Sequence, residues 1–108
     1  MTNGIVKKAA LGTGLFLLAA LAAFAQKDPK DLFLDKCATC HGPDGMAKTA
    51  KGKKLKVTDV KTAAGKVSAA EMEKIVADGK GQDMDGFGKE LSKDQMKGVV
   101  EYFRSLAK

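Results

Sequence analysis

Cys37, Cys40 and His41 are the scarce, reactive side chains of this chain of 108 residues. It contains two cysteines and one histidine, and all three fall within Cys37-Ala38-Thr39-Cys40-His41. On a helical turn, residues three apart share a face, and a residue four along sits one turn above its starting point. Two thiols placed that way can each add across one of the two vinyl groups on a haem edge. The next residue then presents an imidazole to the iron from beside the plane. The Cys-x-x-Cys-His pattern therefore reads as a site of covalent haem attachment. Cys37 and Cys40 are the expected thioether anchors of one haem c, and His41 is the expected proximal axial ligand.

Other chemistries of the same residues fit less well. A structural zinc site needs about four ligands, usually thiolates and imidazoles, and no second Cys/His pair exists here. A thioredoxin-like dithiol shares the Cys-x-x-Cys motif, but it normally belongs to a strand–helix unit, and nothing strand-like precedes Cys37. A lone histidine is ordinarily a structural residue; its position directly after the second cysteine reverses that expectation.

Three helical segments are predicted to position the motif. Asp28-Pro29-Lys30-Asp31 opens the first, with an acid at the N-cap and proline at the first helical position. Leu32, Phe33 and Leu34 run it into Cys37, and Phe33, four residues earlier, shares the face of Cys37. Ser68-Ala69-Ala70-Glu71 is a capping box, after which Met72, Ile75 and Val76 fall at helical spacing until Gly79. A second box, Ser92-Lys93-Asp94-Gln95, opens the last helix, whose apolar residues Met96, Val99, Val100, Phe103 and Leu106 form one stripe. Gly98 inside that helix costs about 1 kcal/mol relative to alanine, which close approach of another helix would justify. Residues 42–65 are rich in Gly, Lys and Thr, begin with the turn Gly42-Pro43-Asp44-Gly45, and are expected to form a loop wrapped around the haem. No internal repeats or heptads are present.

With His41 spent on one face of the iron, a methionine sulfur, a lysine amine or an open position remains for the other. A thioether is a soft ligand that raises the reduction potential. Met1 leaves with the leader proposed below. Met46 is five residues past His41, too few to cross the haem edge, and Met72 and Met96 belong to apolar helix stripes. Met84 lies 43 residues beyond His41 in Gly79-Lys80-Gly81-Gln82-Asp83-Met84-Asp85-Gly86-Phe87-Gly88, a segment with four glycines and no helical period. Met84 is the expected distal axial ligand, with lysine as the rival among protein groups.

The first 25 residues read as a cleaved secretory signal. Lys7 and Lys8 supply a positive start, residues 9–25 carry no charge, and Ala23-Phe24-Ala25 is a cleavage pattern. The uncharged block of 17 residues is close to the minimum span of about 17 residues that crosses a bilayer, so an uncleaved anchor is the alternative. Residues 26–108 would form a single domain with net charge +4, too mild to imply nucleic acid as a partner. Trp is absent and aromatics are few. So small a domain needs a staple, and a buried porphyrin would complete the core.

Residues 31–107 resemble the class I monohaem c-type cytochromes, small exported bacterial electron carriers. The similarity rests on Phe33 followed by Cys37-Ala38-Thr39-Cys40-His41-Gly42, on the glycine-rich loop bearing Met84, and on the closing Tyr102-Phe103-Arg104-Ser105-Leu106. It implies an all-α fold in which N- and C-terminal helices cross beside the haem, with Phe33 and Tyr102 near the crossing. Three positions depart from the family pattern. Asp85 stands where proline often follows the ligand methionine. Pro29 stands where a glycine commonly allows close helix approach, a task that Gly98 would take over. No proline occurs in residues 44–108 to offer its carbonyl to the haem histidine, so another carbonyl is expected to orient His41.

The expected function is periplasmic transfer of single electrons by a monomeric carrier rather than an enzyme. Lys48, Lys51, Lys53, Lys54 and Lys56 place five lysines in nine residues with no acid between them, either as a docking rim for an acidic redox partner or as a solvated loop. Two rival functions remain: a haem protein with an open sixth position, such as a peroxidase or ligand sensor, and a thiol–disulfide oxidoreductase.

Overall fold

The apolar stripe of the last helix organises the chain. A computed structural model describes residues 27–108; the expected leader, cleaved or anchored, lies outside the described residues. The helices in order are α1 (Pro29–Lys36), α2 (Ala38–His41), α3 (Ala50–Lys54), α4 (Val60–Lys66), α5 (Ala69–Asp78) and α6 (Lys93–Ser105). The fold is all-α, and among the described residues its β-type pairing is one isolated bridge between Lys80 and Met84.

Local chemistry explains where the helices begin. The Asp28 carboxylate accepts from the Asp31 N–H at 3.1 Å, with Pro29 entering the first turn. Ser92 carries a full capping box: its hydroxyl accepts from the Gln95 N–H, and the Gln95 side chain accepts from the Ser92 N–H. Ser68 accepts from the Glu71 N–H at 3.2 Å, and only the Ser92 box is closed from both sides.

The stretch expected to be a loop carries two helices instead. Thr49 caps α3 by accepting from the Gly52 N–H, and Asp59 caps α4 by accepting from the Thr62 N–H. Both helices are short and lack an apolar period, but each buries one residue that fixes it. Gly52 is buried against α2, and Val60 is fully buried beneath Gly45 and Leu106.

Helix α6 crosses α1 and also packs on α5 and α4. Met96, Val99 and Val100 meet Leu32 and Phe33 from α1 and Met72 and Val76 from α5. Phe33, 1% exposed, lies with its ring centroid 5.4 Å from Tyr102 and 5.9 Å from Phe103; burying such a side chain contributes about 1.5–3 kcal/mol. The close approach expected at Gly98 is present. A Cβ there would stand 3.0 Å from Cγ of Pro29, so the glycine on α6 makes room for the proline on α1. Arg104 closes the arrangement by donating to the Val67 carbonyl at 2.8 Å, which ties α6 to the joint between α4 and α5.

Candidate haem site

Four residues cannot sustain a helix alone, because nucleation is unfavourable and the terminal carbonyls have no intrahelical donors. The turn α2, which carries Cys40 and His41, is held from outside. Gly42 N–H donates to the Ala38 carbonyl at 2.8 Å, and Ala47 N–H donates to the His41 carbonyl at 2.8 Å. The Thr49 hydroxyl donates to the Thr39 carbonyl at 2.7 Å while accepting from the Gly52 N–H at 2.9 Å. Ala47 adopts a left-handed φ of 55° to make its contact. Gly52 has no side chain where a Cβ would collide with the Cys40 carbonyl oxygen. Thr49 and Gly52 therefore seat α3 directly on the motif. Sequence reading passed over both; Thr49, a residue type favoured at N-caps, was the available signal, and nothing local marked Gly52.

Cys37 lies at the junction of α1 and α2, half-buried and packed against the apolar core. Cys40 is half-buried as well. Burial pushes the Cys37 thiol up to about 11; nearby Lys36 opposes the rise and Cys40 adds to it. A raised thiol is the reverse of what a dithiol redox enzyme needs, since the thiolate is the nucleophile. Burial also lowers the His41 pKa, favouring the neutral imidazole that a metal requires.

The surroundings of His41 differ from expectation in one respect. No carbonyl orients the ring: Nδ1 is buried and has no hydrogen-bond partner among the described residues. The neighbour is Phe103, edge-on at a centroid distance of 5.2 Å.

Met84 is half-buried and packs against the same core cluster as Cys37. Met72 and Met96 are 7% and 8% exposed within that cluster, as their helix stripes predicted. Lys80 and Met84 exchange both backbone hydrogen bonds, at 2.9 and 3.3 Å, closing a tight turn that presents the methionine. Lys48, Lys51, Lys53, Lys54 and Lys56 are all exposed on α3 and its flanks.

These residues fit a covalently held haem. Two half-buried thiols, a half-buried imidazole with one buried, unpartnered nitrogen and an apolar wall suit a large, mostly apolar ring. They do not suit zinc, because no group of three or more His, Cys, Asp and Glu side chains gathers among the described residues. Residues 24–103 match the family described as cytochrome c oxidase, cbb3-type, subunit III. The chain belongs to this family of c-type cytochrome domains. Among solved structures it is similar to the KustC0563 c-type cytochrome, with a TM-score of 0.69 and 27% identity over 76% of this chain and 100% of that one. No curated protein matches. The cytochrome domain is thus a small monohaem carrier of covalent haem c, and its chemistry is electron transfer. Among the described residues of the cytochrome no helix is long and apolar enough to cross a membrane.

Proposed function

We propose that this cytochrome is a periplasmic carrier of single electrons whose iron is held by His41 on one side and Met84 on the other. The observation that supports this best is the convergence of two distant segments on one apolar cluster: Cys37 at the start of the motif and Met84 on the glycine-rich turn both pack against it. The proposed leader of residues 1–25 would direct the chain out of the cytoplasm.

When bound, the haem iron supplies a one-electron ferric–ferrous couple. Cys37 and Cys40 would anchor the ring through thioethers, each formed by adding S–H across a vinyl group without loss of any atom. His41, with Nδ1 buried, has Nε2 left to face the metal. Met84 would close the opposite position with a soft thioether, which raises the reduction potential. Filled axial positions would keep substrates off the iron, so the cytochrome acts as a carrier rather than an enzyme. Its apolar wall of Phe33, Val99 and Val100 would exclude water.

Absorption spectra of both redox states test the axial pair. The ferric protein is expected to show the weak band of an iron–thioether bond, and Met84→Ala to lose it and bind carbon monoxide in the ferrous state. Survival of the band in that variant would move the ligand to another residue. Carbon monoxide binding by the unaltered protein would favour an open-site haem protein.

A further inference from the structure

We infer that Gly79 and Gly86 are positioning residues for Met84: their missing side chains let the backbone on either side of the methionine lie flat against the end of α5. The inference rests on the reading of Met84 as an axial ligand.

Helix α5 ends at Asp78, where its last carbonyls lose their intrahelical donors. The chain that leaves this end returns to it. Gly79 N–H donates to the Ile75 carbonyl at 2.7 Å, Phe87 N–H to Val76 at 2.7 Å and Gly88 N–H to Ala77 at 3.0 Å. Between these stitches the mutual Lys80–Met84 hydrogen bonds close the turn. Residues 79–88 thus form a lasso tied at its base, with Met84 on the returning limb.

Two crossings within the lasso admit glycine alone. Gly79 has a left-handed φ of 84°, and a Cβ there would stand 2.6 Å from the Met84 carbonyl oxygen and 2.8 Å from the Gly86 nitrogen. A Cβ at Gly86 would stand 2.6 Å from the Ala77 carbonyl oxygen and 2.7 Å from the Asp78 carbonyl carbon. Each obstacle is backbone, so no side-chain rotation relieves it. Asp85, directly after the methionine, cannot stiffen the chain as a proline ring would; contact between the two backbone limbs supplies the stiffness instead. A ligand on a loop already ordered loses little conformational entropy on binding, whereas a displaced lasso would leave the thioether to find the iron from a broad ensemble.

The test is an alanine series in the haem-loaded full chain, with retained covalent haem and far-UV helicity as the check of folding. Gly65→Ala, with nothing within 4 Å of its Cβ, should keep the ferric thioether band. Gly88→Ala, whose Cβ would meet the Ala77 oxygen at 3.0 Å, should lose part of it. Gly86→Ala should lose most of it, lower the midpoint potential and admit carbon monoxide to the ferrous iron. Exchange of the Phe87 and Gly88 amides should quicken in the same order. Folded Gly86→Ala and Gly88→Ala proteins with the full band and unchanged potential would overturn the inference. If Gly86→Ala does not fold, Gly88→Ala decides alone. Met84→Ala separates the two claims. If it loses the band while the folded glycine variants keep it, only the positioning role falls; if it keeps the band, the axial reading falls and takes the positioning role with it.

Discussion

The Thr49 hydroxyl bridges two helices end to end, donating to the Thr39 carbonyl of α2 and capping the first turn of α3. One oxygen thereby satisfies an acceptor on the haem motif and a donor on its neighbour. Thr49→Val keeps the shape and removes both bonds. The loss of the cap, and of the bond to the solvent-exposed Thr39 carbonyl, predicts destabilisation of about 1–2 kcal/mol, measurable by denaturant titration followed in the haem band. Thr49→Ser should retain most of the stability.

The Gly98–Pro29 contact predicts a size dependence at the crossing of α1 and α6. Gly98→Ala should be close to neutral, because about 1 kcal/mol of helix propensity offsets a small displacement of the proline. Gly98→Leu forces the helices apart, with an expected loss of about 1–3 kcal/mol. Thermal unfolding would show it as a lowered Tm, and Pro29→Ala in the same chain should recover part of the loss.

Acid should act on His41 later than on an exposed imidazole. Burial lowers its pKa from the ordinary 6.5, so the folded chain binds that proton less readily than the unfolded chain does. The stability this group contributes is complete above 6.5 and is lost as pH falls through the depressed folded value. In the haem-free chain the His41 ring should therefore still be mostly neutral at pH 6.5 and take up its proton at lower pH. A proton NMR titration of that ring checks the midpoint, and a transition at or above the ordinary value would contradict the burial of Nδ1.

Removal of the covalent anchors should weaken the fold as well as the chemistry. Cys37→Ala combined with Cys40→Ala leaves a small domain whose buried core residues contain a single aromatic, Phe33. Its unfolding is expected to become less cooperative and its helical circular dichroism to fall. Undiminished cooperativity would show that the polypeptide core suffices without the ring.

The exposed lysines of α3 predict sensitivity to ionic strength. If they guide an acidic redox partner, electron-transfer rates should fall as salt rises. Changing Lys51, Lys53 and Lys54 to glutamine should flatten that dependence. Rates indifferent to salt in the unaltered protein would reduce the segment to a solvated surface.

The chemistry of this chain was legible where it depends on neighbours in sequence. The Cys37–His41 spacing, the caps at Asp28 and Ser92 and the apolar stripe from Met96 to Leu106 are local patterns, and each needs only helical geometry to be read. Gly98 was legible as a close approach because a glycine inside a strong helix demands a reason. Helices α3 and α4 were not, since five and seven residues without an apolar period leave no signal beyond their caps. Tertiary contacts alone decided three further matters: that α3, through Thr49 and Gly52, clamps the motif, that among the described residues Phe103 rather than a carbonyl stands beside His41, and that the lasso bearing Met84 is tied to α5. Each depends on groups that are not neighbours along the chain meeting within hydrogen-bond or van der Waals distance, a relation that residue identity and spacing do not encode.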